Sequence, residues 1–324
     1  MSGRKPRRRA ESPAQVPEPS GTHTGPIGAI TLIGEALDAW GHAHCGPRID
    51  KSSHEAITLV RVPQLPGVEM QLIRNSRRMW AIYHSSFDFC CAIRAGEPID
   101  WLYRHRTHSM SLGSLGILVP GEMHRVLRIH EATDYLLLLI EPAVMARFLE
   151  DDESASLYSV RHQVDGKQHS SLLGKLWSAM TDRTRDTMRI EGLVSEFLLS
   201  ISRLSGSRSD LDKPAHEGTR IVRDYLHDNH HRNVTLDECA SLTGTSKFHL
   251  HRSFVAELGV PPHQYLSGVR ISRARDLLRG GARPADVASL TGFCDQSHLT
   301  RVFTEIVGLT PGAYAAEHTG AQQR

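Results

Sequence analysis

Ala240-Ser241-Leu242-Thr243-Gly244 recurs unchanged as Ala288-Ser289-Leu290-Thr291-Gly292, at an offset of 48 residues. One residue into the following turn the offset becomes 49 and then holds. His249 matches His298, Leu250 matches Leu299, Arg252 matches Arg301 and Phe254 matches Phe303, and the register continues through Gly259 with Gly308, Pro262 with Pro311 and Tyr265 with Tyr314. Matches kept in phase by a single insertion mark a duplicated structural unit. Each copy reads as a helix, a short turn and a second helix. In the first, Thr235 with Glu238 three residues on makes a capping box for a helix carrying Leu236, Ala240 and Leu242. Gly244 can take the left-handed conformation that ends it, and Ser246 can cap the next helix. The second copy starts near Pro284, turns at Gly292 and recaps at Asp295.

At about 100° per residue, Leu250 and Phe254 define the buried face of one second helix, and Leu299 and Phe303 that of the other. Phe248, Arg252 and Val255 then project outward with His251 at the margin; Ser297, Arg301 and Thr304 do so in the other copy, with Thr300 at the margin. Each copy thus centres one arginine on an exposed face. An α-helix fits the DNA major groove, where an arginine can bond guanine O6 and N7. A lone outward arginine is ordinarily a solvated charge; two at matched positions of a duplicated unit point to DNA. His249 and His298 flank the apolar faces and suit packing or phosphate contact. Between the copies, Tyr265 to Leu278 keeps helical spacing, with Arg270, Arg273, Arg275 and Arg279 expected mostly outside, as a linker helix setting one unit relative to the other.

The stretch from Thr219 to Glu317, especially Gly292-Phe293, Arg301-x-Phe303, Gly308-Leu309-Thr310-Pro311 and Tyr314, resembles the DNA-binding domain of AraC-type transcription regulators. The resemblance implies seven helices, with the third and sixth entering adjacent major grooves of double-stranded DNA. It also implies RNA polymerase as a partner, and base contacts from Phe248, His251 and Arg252 in one helix and Ser297, Thr300 and Arg301 in the other. A lysine often follows the phenylalanine in that family, whereas Val255 and Thr304 stand here.

Upstream, from Glu55 to about Ile140, apolar residues tend to alternate, as in Val68, Met70 and Leu72 or Phe87, Phe89, Cys91 and Ile93, with Gly and Pro between runs. That is a strand-rich sandwich or barrel. Tyr83-His84, Gly96 and Gly116 to His124 are similar to the cupin-like effector domain that precedes such DNA-binding domains. A metal-dependent enzyme of that shape would need a His-x-His pair and a carboxylate, but His84 is followed by Ser85, Ser86 and Phe87, and His105 and His108 fall on opposite faces of a strand. No metal or cofactor is therefore expected. A small-molecule effector pocket is expected instead, lined by some of Trp80, Tyr83, His84, Phe87, Phe89, Trp101, Tyr103 and His124, with Arg104 or Arg106 near its mouth. A filled aromatic core is the competing reading.

Pro142 begins a short helix, and helical spacing then runs through Leu172, Leu173, Leu176, Trp177 and Met180 and again from Ile190 to Leu204. Both helices suit packing on the β-region; the second equally suits pairing in a homodimer. The expected layout is a disordered basic tail (1–26), a cupin-like effector-binding and dimerisation region (27–204), a linker (205–215), a tandem helix-turn-helix domain (216–318) and a short tail (319–324). The fold class is α+β in two domains. A formal net charge of +2 leaves any DNA affinity to the placement of basic residues rather than to gross charge. The five cysteines show no zinc or redox spacing, and adjacent Cys90 and Cys91 point to opposite strand faces. No signal-like or membrane-spanning apolar run occurs, so the cytoplasm is the expected setting. Two functions fit: a ligand-responsive DNA-binding regulator, not an enzyme, or a cupin-type metalloenzyme with an accessory DNA-binding module.

Overall fold

The computed structural model describes residues 55–319 apart from 105, 146, 150–156, 159–161 and 205–215. The expected N-terminal tail, the stretch from Gly28 to Ser53, the linker, His105 and the C-terminal tail beyond Thr319 lie outside the described residues.

Ten strands make two sheets. In the first, β2 (Val68–Ser76), β9 (Thr133–Ile140), β4 (Phe87–Arg94) and β7 (Ser114–Leu118) lie side by side, with β1 (Ala56–Arg61) at one edge and β10 (Gln163–Asp165) at the other. The second runs β3 (Ala81–Tyr83), β8 (Met123–Arg128), β5 (Ile99–Tyr103), β6 (Arg106–Met110). All the pairings are antiparallel. Alternation gives the first sheet two faces, and both are covered. Val68, Met70, Leu72, Phe87, Phe89, Cys91, Leu136 and Leu138 pack with Leu173, Trp177, Val194 and Phe197. Those last four come from α2 (Lys167–Thr181) and α3 (Thr187–Ser202), which follow the short helix α1 (Pro142–Met145). The opposite face looks toward the second sheet. Register sets Glu69, Leu139, Asp88 and Leu118 in one row across it and Gln71, Leu137, Cys90 and Gly116 in the next.

The C-terminal part is helical: α4 (Glu217–Asp228), α5 (Leu236–Thr243), α6 (Lys247–Leu258), α7 (Pro262–Arg279), α8 (Pro284–Leu290), α9 (Gln296–Val307) and α10 (Pro311–Thr319). The first unit buries Val222, Cys239, Ala240, Leu250, Phe254 and Tyr265 together; the second buries Val287, Ala288, Leu299, Phe303 and Tyr314. Leu242 on α5 is 45% exposed, and its repeat mate Leu290 is 55% exposed. They lie one turn-step beyond the stripe that Cys239 and Ala240 close. Among the described residues no helix is long and apolar enough to cross a membrane.

Candidate nucleic-acid interface and interdomain cavity

Local chemistry builds α6 and α9 in the same way. The Thr235 hydroxyl accepts from the Glu238 amide at 3.2 Å, and Gly244 ends α5 at φ +62°. Ser246 accepts from the His249 amide at 3.2 Å to start α6, and Asp295 accepts from His298 at 2.7 Å to start α9. The cores match in detail: Phe254 meets Tyr265 edge-on at 5.6 Å, and Phe303 meets Tyr314 in the same manner at 5.5 Å.

Opposite those buried pairs lie the expected contact residues. Phe248 is 69% exposed, and His251, Arg252, Ser297 and Arg301 are exposed too, while Thr300 is half-buried. The Arg252 guanidinium lies 4.6 Å from the Phe248 ring centre, and the Thr300 hydroxyl donates to the Gln296 carbonyl at 2.8 Å. The linker arginines behave differently from expectation. Arg273 is exposed, but Arg270 donates to the His230 and Arg232 carbonyls at 2.8 Å each, and Arg275 and Arg279 turn into the β-region. The outward face of α7 is outward only with respect to its own helical unit.

The β-region docks on both units at equivalent points. Gly259 and Gly308, repeat mates at φ +74° and +82°, end α6 and α9 respectively. A Cβ on Gly259 would lie 2.5 Å from Leu102 Cδ2, and one on Gly308 would lie 2.2 Å from Ile57 Cδ1. Beside each notch an arginine of the β-region reaches terminal carbonyls: Arg125 donates to Gly259 O at 3.0 Å, and Arg78 to Thr304 O at 3.0 Å and Glu305 O at 3.3 Å. Between them sits a buried ion cluster. Glu69 accepts from Arg61 Nε at 2.7 Å, from Arg275 at 3.2 Å and from the Tyr314 hydroxyl at 3.2 Å. Burial alone would raise its pKa, but Arg61, Arg275 and Arg279 outweigh that and hold it at about 2.

A cavity of about 90 Å³ lies between the sheets and is closed on one side by Gly268, Ile271, Ser272 and Arg275 of α7 and Ile306 and Val307 of α9. Trp80, Tyr83, His84, Trp101 and His124 line it; Phe89 does not, for it points to the other face of β4 and meets Phe197 edge-on at 5.0 Å. Phe87 likewise belongs to the helix-covered face, and the Tyr103 hydroxyl is taken by the Val119 amide at 3.2 Å. Arg104 lies beside Glu122 at 3.5 Å, away from the cavity lining.

Strand pairing brings together what forty residues of sequence separate. His84 Nε2 lies 2.7 Å from His124 Nδ1, and His84 Nδ1 lies 3.3 Å from Asp88 Oδ2. Burial pushes both imidazoles down, His124 to about 4, and pushes the Asp88 carboxyl up to about 7 against the pull of Arg275. Among the described residues no group of three or more His, Cys, Asp and Glu is placed to hold a metal ion. Sequence reasoning missed Asp88, Ser272 and Arg275 as cavity residues. A carboxylate in the apolar run Phe87 to Ile93 was the available signal for the first.

A helix-turn-helix domain model matches residues 239–317. The chain is 32% identical over 193 residues to the uncharacterized HTH-type transcriptional regulator YbfI of Bacillus subtilis, spanning 58% of this chain and 70% of that protein. It is 34% identical over 116 residues to the transcriptional activator NphR of Rhodococcus sp., covering 36% of this chain and 34% of that one. Among solved structures it is similar to the DNA-binding domain of AdpA in complex with a target DNA, at 24% identity and a TM-score of 0.31 over 32% of this chain and 96% of that one. With its duplicated helix-turn-helix units and a relative of this similarity matched over most of its length, the chain belongs to the AraC-type family of transcription regulators.

Proposed function

We propose that the protein is a sequence-specific regulator of transcription that lays α6 and α9 in adjacent major grooves and answers to a small molecule in the β-region. The supporting observation is the pair Arg252 and Arg301, exposed at matched positions of two units whose other faces are buried. Phe248, His251, Ser297 and Thr300 complete the reading surface. Residues 216–318 form the reader, 27–204 a cupin-like effector region, and RNA polymerase and a second copy of the chain are partners consistent with the family.

Arg252→Ala and Arg301→Ala each weaken specific binding by about 1–3 kcal/mol and relax base preference at positions about one DNA turn apart. Arg273→Ala, on an exposed side chain suited to phosphate, lowers affinity for all sequences alike and flattens the salt dependence. Selection of bound sequences from a random pool, with wild type and each variant as the full chain, checks this. A uniform loss with base preference intact in either of the first two removes that arginine from the reading surface.

A further inference from the structure

Two of the residues that line the cavity each keep a buried polar atom with no partner. Asp88, 3% exposed, gives one carboxylate oxygen to His84 and leaves Oδ1 buried and unbonded. Trp101, also 3% exposed, leaves its indole Nε1–H buried and unbonded. Both residues line the cavity, and a buried polar atom without a hydrogen-bond partner bears an uncompensated desolvation cost. A molecule that offers one donor and one acceptor there recovers that cost.

The remaining wall sets the rest of the molecule's character. Trp80, Trp101, Leu118, Val126, Leu137 and Ile271 make it largely apolar and partly aromatic. Arg275 is the one cationic side chain in the lining, and it is already spent on Glu69 and on the Tyr314 hydroxyl, 3.3 Å from its Nε. Glu69 in turn is shared with Arg61. His84 and His124 bond each other, and burial disfavours their charged forms. An ionic ligand would have to break this balanced set and give up its own hydration to a largely apolar wall. The size is small: an apolar cavity of roughly 150 Å³ accepts benzene, so 90 Å³ takes a single ring only with slight expansion.

We infer that this interdomain cavity binds a small, uncharged, hydroxylated aromatic molecule, whose hydroxyl hydrogen-bonds Asp88, with Trp101 Nε1–H supplied by an acceptor on the same molecule. This rests on the effector reading above and names the ligand class for it. Because α7 and α9 form part of the wall, the bound molecule touches the strands and the reading units together.

The test uses four ring probes, phenol, toluene, benzoate and benzylamine, added to the full chain, with binding read by calorimetry and by the rise in Tm that a ligand of the folded state produces. Phenol is expected to bind at least about tenfold more tightly than the other three. In Asp88→Ala that preference over toluene falls to within about threefold while toluene still binds, which shows that the cavity persists. Trp101→Phe, which keeps a ring and removes the N–H, lowers phenol affinity in the same direction if the aspartate variant does not fold. Tighter binding of benzoate or benzylamine overturns the uncharged class. No binding of any probe up to about 10 mM overturns the site itself and leaves the unpaired atoms to water. DNA binding by the same preparation, measured without any probe, separates either failure from failure of the regulator reading.

Discussion

Glu69 is one of the buried side chains that join the two parts of the molecule. It is 3% exposed in its side chain and answers Arg61 and Arg275 at once, so Glu69→Gln leaves two guanidinium groups facing a neutral amide. Breaking a buried pair from one side costs about 3–5 kcal/mol, and chemical denaturation of the full chain is expected to show a loss of that size. The pH dependence gives a second check. The folded pKa of about 2 lies below the ordinary 4.5, so the stabilisation is fully present above 4.5 and is lost as pH falls toward 2. The stability gap between wild type and Glu69→Gln should therefore stay constant above pH 5 or so and close below 4.5; a gap that widens in acid contradicts the assignment. Losses between 6.5 and about 4 have another source, since His124, buried neutral, must take a proton there that the unfolded chain takes readily.

The three left-handed helix ends test how much of the docking rests on shape. At Gly244 a Cβ meets nothing within 4 Å, so Gly244→Ala carries backbone strain alone, about 1–2 kcal/mol. Gly259→Ala and Gly308→Ala carry the same strain and also press on Leu102 or Ile57, adding about 1–3 kcal/mol. Thermal unfolding of the full chain should rank them accordingly, and Leu102→Ala should rescue Gly259→Ala only; equal costs at all three positions would mean that the notches are not filled. The helix end at Gly244, the caps at Thr235, Ser246 and Asp295 and the outward faces of α6 and α9 were legible in the sequence, because each depends on residues within four or five positions; Gly259 and Gly308 stood out there only as repeat mates. What covers α7 was not legible. Arg275 is placed by Glu69, 206 residues away, and Arg279 by Glu141 just after β9, and no local pattern distinguishes solvent from a docked sheet. The cavity face of β4 was hidden for a related reason: both faces are buried, so the bulky Phe87 and Phe89 marked a core without telling which core. The meeting of His84 with His124 followed from the pairing of β3 with β8, which the spacing of the two histidines does not encode.

At the scale of the whole molecule, the β-region docks away from the surface proposed to read DNA. Phe248, Arg252, Ser297 and Arg301 remain exposed with the β-region in place, while Gly268, Arg275 and Tyr314 are covered by it. The fragment from about Lys213 to Arg324 holds both helical cores and α7, and it should fold alone and bind DNA with no effector. A soluble, helical fragment with no footprint at low salt would show that the β-region is needed to assemble the reader. Any molecule held in the cavity couples to DNA by reciprocity: if it changes operator affinity, DNA changes its affinity by the same factor. The matched notches at Gly259 and Gly308 also bear on how this protein would look to a geneticist. On the proposed function, a lesion at Leu102 or Ile57, remote in sequence from α6 and α9, would alter how those two helices are held apart and so present as a change in operator choice, mapped to the β-region rather than to the helices proposed to meet DNA.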